Sequence, residues 1–240
     1  MRRGREPMQA LIFDCDGVLV DTERDGHRVS FNEAFAELGI DCVWSVERYG
    51  ELLLTAGGKE RMRRHFDETG WPAGTEDRDA LISTIHKRKT AIFMRLIEEG
   101  GLPLRPGIAR IVDEAIASGI TLAVCSTSNE KAVQAVVDVM LGPERSRKIT
   151  VFAGDMVAAK KPAPDIYNLA ARTLGLDPSN CVVIEDSNNG LRAAKAAGMH
   201  CVVTISSYTG EEDFSLADRV VDDLDAGNVD ISFCRALIDA

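Results

Sequence analysis

The chain has 240 residues, 45% hydrophobic and 28% charged, with 38 acidic against 28 basic side chains and a formal net charge of −10. That is enough chain for one large domain, or for a core carrying an insertion, with the composition of a globular protein. So acidic a balance excludes nucleic acid or an anionic membrane surface as the main partner, and no apolar run approaches the roughly 18 residues that cross a bilayer.

Residues 1–7 (MRRGREP) are basic and are read as a tail outside the fold, a leader remnant or a loose end. The first strand is expected at ALIF (10–13), running straight into Asp14, Cys15, Asp16 and Gly17. Residues 23–98 then show helical spacing and no strand candidate, in HRVSFNEAFAELG, ERYGELLLTAGGKERMRRHFDETG and RDALISTIHKRKTAIFMRLIEEG. From residue 99 the pattern alternates. PGIARIVDEAIASG is a helix bounded by Pro106 and Gly119, TLAVCS (121–126) a strand, NEKAVQAVVDVML a helix stopped by Gly142, and ITVFAG (149–154) a strand. Helices at PAPDIYNLAARTLG and NNGLRAAKAAG separate strands at CVVIED (181–186) and CVVTI (201–205); RVV (219–221) is a weaker strand, and a loop with a short helix ends the chain. Strands this continuously apolar are buried on both faces, as in a parallel sheet. The expected fold class is α/β, a doubly wound parallel-sheet core of residues 8–22 and 99–240 with an inserted all-helical cap domain of residues 23–98.

The six cysteines, at 15, 42, 125, 181, 201 and 234, form no CxxC pair and mostly sit in apolar runs, so they read as buried free thiols of a reducing compartment. In a parallel sheet, the residues just past each strand meet along one edge. Those residues are Asp14 and Asp16; Ser126 with Thr127, Ser128 and Asn129; Lys160 and Lys161; and Glu185 with Asp186. Like charges so close repel unless a cation lies between them, and carboxylate oxygens with waters are the shell that Mg2+ accepts. Asp14 can then attack phosphorus, Asp16 can give a proton to the leaving alkoxide, and Ser126 and Lys161 can hold the phosphoryl oxygens.

DxDGVLVDTE, the strand-terminal Ser126, KKPAPDIY and EDSNNGLRAAKAAGM, in that order and spacing, resemble the haloacid dehalogenase (HAD) superfamily of aspartate-nucleophile phosphatases over almost the whole chain. The resemblance implies a HAD-like Rossmannoid core, and Mg2+ held by Asp14, the Asp16 main-chain carbonyl and Asp186, with Glu185 acting through water. It also implies that Lys161, directly before the proline, is the motif lysine rather than Lys160.

The insertion lies where that family places a helical cap. Its strongest signal is TAGGKERMRR (55–64), in which two glycines precede a basic helix start and offer free N–H groups beside Lys59 and Arg61 to an anion. IHKRKT adds His86, Lys87, Arg88 and Lys89, which fan round a helix so that not all face one ligand. Together they suggest a second phosphate site. YGELLLTAGGKERM, IHKRKT, LPLRPGI, CSTSNEKAV and FAGDMVAAKKPAPDIYNLA are further similar to the CbbY-type sugar phosphatases, particularly plant and algal plastid forms. That resemblance implies substrate contacts from Glu23, His27, Tyr49, Gly57, Gly58, Lys59, Glu60, Arg61, His86, Arg88 and Lys89. Glu23 equally suits a helix cap, and Tyr49 suits cap packing.

The expected function is therefore a Mg2+-dependent phosphatase that hydrolyses a sugar bisphosphate, xylulose 1,5-bisphosphate by resemblance, to xylulose 5-phosphate and so removes an inhibitor of Rubisco. The alternatives are a phosphosugar mutase of β-phosphoglucomutase type, another small phosphosugar or phosphoglycolate phosphatase, and a non-catalytic sensor on the same scaffold. A monomer is expected, in the chloroplast stroma by resemblance or else in a bacterial cytoplasm.

Overall fold

The computed structural model describes residues 8–55 and 58–239, so the basic tail and Gly57 lie outside the described residues. In chain order the elements are β1 (Ala10–Phe13), a π-helical turn (Thr22–His27) leading into α1 (Arg28–Glu37), α2 (Val46–Leu53), α3 (Gly58–Thr69) and α4 (Arg78–Glu98). There follow α5 (Ile108–Ala117), β2 (Thr121–Ser126), α6 (Glu130–Leu141), the short α7 (Pro143–Ser146) and β3 (Ile149–Ala153). The chain closes with α8 (Asp165–Leu174), β4 (Cys181–Glu185), α9 (Asn188–Ala196), β5 (His200–Thr204), β6 (Arg219–Val221) and α10 (Ile231–Asp239).

The six strands form one sheet in the order β3-β2-β1-β4-β5-β6, and every neighbouring pair is parallel. β1 is therefore central, flanked by β2 and β4, at the place where the strand order reverses and an open α/β sheet leaves its crevice. Phe13 stands opposite both Val124 and Ile184, and the Asp14 amide donates to the Ile184 carbonyl at 2.9 Å. Asp14 thus leaves β1 level with Cys125 and Glu185, and this register assembles the site.

Alternate strand residues face opposite ways. Ala10, Ile12, Ala123, Cys125, Cys181, Val183, Cys201 and Val203 form one buried layer with Ile166, Tyr167 and Ala170 of α8 and Leu191 and Ala194 of α9. Leu11, Phe13, Leu122, Val124, Val182, Ile184 and Val202 are buried on the other face. Each fully buried aliphatic side chain contributes about 1.5–3 kcal/mol. Five of the six cysteines are buried and all six are free; Cys15, between the two aspartates, is 1% exposed.

Strand ends differ slightly from the sequence reading. β3 stops at Ala153 because Gly154–Met156 turns as a 3-10 helix, and β5 begins at His200. The chain divides into two compact units, one up to Asp21 and again from Pro103, the other Thr22–Leu102. Leu102 belongs to the helical unit because it is buried beside Gly26, which also lets the Phe93 ring of α4 approach where a Cβ would collide.

Within the helical unit Phe31, Phe35, Trp44, Tyr49 and Phe66 form an aromatic core, with ring centroids from 4.7 Å (Phe31–Trp44) to 6.3 Å (Phe31–Tyr49). The Ser45 hydroxyl caps α2 by accepting from the Arg48 amide, and Asp77 caps α4 by accepting from Asp79 and Ala80. His65 joins the aromatic cluster as a core residue, accepting from Arg48 on Nδ1 at 3.4 Å with Nε2 at 3.2 Å from the Cys42 sulfur.

Candidate active site

Four strand ends deliver the site. Asp14 follows β1, Ser126 ends β2, Lys161 lies in the loop after β3, and Glu185 ends β4 with Asp186 next. The Lys161 ammonium has three N–H groups and three acceptors: Asp14 Oδ1 at 2.6 Å, Glu185 Oε1 at 2.6 Å and the Cys125 carbonyl at 2.8 Å. Its neighbour Lys160 instead donates to the Gly154 carbonyl. Of the two lysines, Lys161 is the one bonded to the carboxylates.

Asp14, Glu185 and Asp186 are all buried, and one carboxylate oxygen from each lies within 4.8 Å of the others. Burial pushes Asp14 up to about 7 against the pull of Lys161, with Glu185 and Asp16 adding to the rise. Burial likewise holds Asp186 well above the usual carboxylate range, helped by Asp14 and Glu185 and opposed by Ser206 and Lys161. Burial works against the Lys161 charge, but the Asp14 and Glu185 carboxylates outweigh it and hold its pKa above the ordinary lysine value. Three buried carboxyl groups around one ammonium leave negative charge in excess, the condition that a bound cation relieves.

Asp16 sits apart from this cluster, half-buried, with its Oδ2 accepting from the Ser128 hydroxyl at 2.5 Å. The Ser126 hydroxyl, 1% exposed, accepts from the Ser128 amide at 3.1 Å. Asn129, one of the residues expected past the end of β2, is the N-cap of α6, its Oδ1 accepting from the Lys131 and Ala132 amides. Thr127 and Asn129 line a cavity of about 520 Å3 with Glu130, Gly154 and Met156.

The sequence reading missed Tyr167. Its hydroxyl, fully buried, donates to Glu185 Oε1, the same oxygen that Lys161 holds, while Glu185 Oε2 accepts from the Asp186 amide. The available signal was a lone tyrosine on the otherwise apolar face of α8, because burial obliges a phenol to find a partner. Two glycines were also missed as space-makers. A Cβ on Gly17 (φ +80°) would fall on the Asp186 carboxylate, and one on Gly190 would fall on that of Glu185. Helix propensity favours alanine over glycine by about 1 kcal/mol inside α9. Gly190→Ala should nonetheless lower the urea midpoint and cut turnover by about 100-fold, because the displaced Glu185 releases Lys161 and Tyr167.

The helical unit has a polar cluster of its own. Lys89, 9% exposed, donates from Nζ to His27 Nδ1 at 2.8 Å and lies over the rings of Phe31 and Phe93. An ammonium can only donate, so the neutral imidazole of His27 carries its proton on Nε2. Burial holds the His27 pKa well below the ordinary value, and the charges of Lys89 and Arg61 push it the same way. His86 is lowered by burial and by Lys89 and Lys59. Glu23 accepts from the Tyr49 hydroxyl at 2.6 Å, and Arg61 donates to that hydroxyl at 3.1 Å and lies 3.6 Å from Glu23. Tyr49 thus packs its ring in the aromatic core and spends its hydroxyl on this network. Gly58 opens α3 beside Phe31 and His86, while Lys59 and Glu60 are exposed.

Arg88 lies apart from this cluster. It is exposed and ion-paired to Glu37, because at about 100° per residue it leaves the face of α4 that buries Lys89. The structure brings together Glu23, His27, Tyr49, Arg61, His86 and Lys89.

The sheet and its carboxylate–lysine site agree with the sequence comparisons. A family model of haloacid dehalogenase-like hydrolases matches residues 8–198, and the chain belongs to that family. A CBBY-like protein of Arabidopsis thaliana is 57% identical over 236 residues, covering 95% of this chain and 74% of its own length. A crystal structure of CbbY from Rhodobacter sphaeroides in complex with phosphate shares 44% identity with a TM-score of 0.76, covering 97% of this chain and 100% of that one. A mutant of the same protein in complex with xylulose-(1,5)bisphosphate shares 45% identity with a TM-score of 0.72, over 90% of this chain and 94% of that one. These relatives make the chain an enzyme, a phosphatase of the CbbY type.

Proposed function

We propose that the chain hydrolyses xylulose 1,5-bisphosphate to xylulose 5-phosphate and inorganic phosphate, with Mg2+ and through an aspartyl-phosphate on Asp14. The observation that carries this reading is that one chain holds two separate charged clusters, the first suited to a cation that would bring in a phosphate and the second suited to a phosphate directly. One is the buried carboxylate–Lys161 cluster of the α/β unit, the other the Lys89, Arg61 and His27 cluster of the helical unit. The CbbY structure with xylulose bisphosphate supports the choice of sugar.

The acidic cluster fits Mg2+, since hard carboxylate oxygens without sulfur or imidazole suit that ion. Asp14, Asp186 and the Asp16 carbonyl would hold it, with Glu185 reaching it through water. When bound, it would neutralise the carboxylate excess and the charge of the incoming phosphate. The protein residues do the rest. Asp14 attacks the phosphorus of the position-1 phosphate and the ester P–O bond breaks. Asp16 passes its proton to the leaving sugar oxygen, then takes one from the water that hydrolyses the aspartyl-phosphate. Ser126 and Lys161 hold phosphoryl oxygens as charge spreads over them. Lys89, Arg61, His27 and His86 hold the phosphate at position 5, while Glu23 takes sugar hydroxyls. In a chloroplast stroma, the reaction would clear an inhibitor of Rubisco.

The test is phosphate release from a panel of ketose phosphates with Mg2+ or with chelator. Xylulose 1,5-bisphosphate should exceed the monophosphates in kcat/KM by about 100-fold or more, and Lys89→Met should erase most of that margin through KM. An isomerised monophosphate without phosphate release would mark a mutase, and a preference for monophosphates would remove the second anion site.

A further inference from the structure

The segment LPLRPGI brings the chain back into the α/β unit, and neither the carboxylate cluster nor the cations of the helical unit account for its arginine. The half-buried Arg105 guanidinium gathers oxygens from three separate segments. It donates to the Gly17 carbonyl just past Asp16, to the Thr204 carbonyl and hydroxyl (both 3.2 Å) and the Ile205 carbonyl (2.6 Å) at the end of β5, and to the Asp222 carbonyl (2.7 Å) after β6. Its own amide donates to the Leu19 carbonyl at 2.9 Å, and Leu104 bridges Val20, which in turn bridges Asp16.

We propose that Arg105 is a positioning residue for the proton transfer made by Asp16. Gly17, directly after Asp16, sets how the chain leaves the end of β1. Its amide donates to the Val20 carbonyl at 2.8 Å and its carbonyl accepts from Arg105, so the peptides on both sides of it are held. The same guanidinium holds the end of β5 next to Ser206, whose side chain is hydrogen-bonded to Asp186. Arg105 therefore ties the segment bearing the acid to the segment beside the carboxylate cluster. A planar fork with five N–H donors can bridge three segments at once, whereas the three donors of an ammonium converge on a single point.

The inference rests on the proposed role of Asp16, and the experiment separates the two. Sugar alkoxides need a proton on departure; 4-nitrophenolate does not. Arg105→Lys should lower kcat/KM for the sugar bisphosphate by about 100-fold while lowering it for 4-nitrophenyl phosphate by no more than about threefold, and Asp16→Ala should show the same selectivity. Thr204→Val, which removes one acceptor of Arg105 and the long 3.5 Å donation of the same hydroxyl to the Glu185 carbonyl, should show a smaller loss of about threefold to tenfold on the sugar ester alone, and it decides the matter should the lysine variant not fold. Equal losses on both esters, or none on either, overturn the positioning role while leaving the phosphatase reading intact. Full turnover in Asp14→Asn, or no leaving-group selectivity in Asp16→Ala, overturns the underlying reading and the Arg105 proposal with it.

Discussion

Asp14→Asn should lower kcat by about 10⁴-fold or more while leaving sugar-bisphosphate affinity within about tenfold. The replacement keeps shape and removes the anionic oxygen that attacks phosphorus. An amide oxygen can still accept from Lys161, which lies 2.6 Å from Asp14 Oδ1, so the surrounding bonds of Lys161 to Glu185 and to the Cys125 carbonyl survive. On the proposed reading, binding depends mainly on groups that this change leaves in place, among them Ser126 and the Lys89 and Arg61 cations. Turnover by rapid-quench phosphate release, paired with calorimetric titration of the substrate, separates the two quantities. A variant that turned over normally would show that Asp14 is not the nucleophile, and one that lost binding and turnover together would recast Asp14 as a binding group. Wild-type enzyme quenched in acid during turnover should carry an acyl-phosphate on Asp14 that the variant lacks.

How much of this was legible beforehand depended on whether a residue's role is local or made by register. The strands were legible because Val- and Ile-rich runs bounded by Gly, Pro and Asn leave few alternatives, and parallel pairing then forces their following residues onto one edge. Asp14, Ser126, Glu185 and Asp186 follow from that rule alone. The rule leaves Lys160 and Lys161 unseparated; the family resemblance picked Lys161, and the folded loop gives it Asp14 and gives Lys160 the Gly154 carbonyl. In the helical unit, a run of basic residues was visible but not its facing. Lys89 points inward at His27 while Arg88, one residue earlier, reaches Glu37. The capping of α6 by Asn129 was not read from the sequence, although asparagine commonly takes that position. The partners of Tyr167, Gly190 and Arg105 were illegible for one shared reason. Each acts on a partner at least five residues away in sequence, and no local pattern encodes the meeting of α8 or α9 with the end of β4, or of the Arg105 segment with the end of β5.

Lys161→Met should cost both activity and stability, and the pH dependence of the stability loss identifies its cause. Methionine fills a similar volume and removes the charge, leaving Asp14 and Glu185 buried without their ammonium. Breaking a buried pair from one side costs about 3–5 kcal/mol, and kcat should fall by about a thousandfold, since Asp14 then holds its proton at neutral pH. Asp14 already has a pKa of about 7 in the folded chain, above its unfolded value, so the folded state binds more protons than the unfolded one between the two. Stability from this group therefore falls as pH rises through that window, by up to about 1.4 kcal/mol per pH unit, and it stops falling once pH exceeds the folded pKa. Removing Lys161 takes away the charge that lowers that pKa, so in the variant the fall continues to higher pH. The difference between wild type and variant should then be larger near about pH 8 than near about pH 5, where both hold the proton. Urea unfolding of the two proteins in chelator at both values measures it, and a destabilisation that is the same at both would assign the loss to packing rather than to the stranded carboxylates.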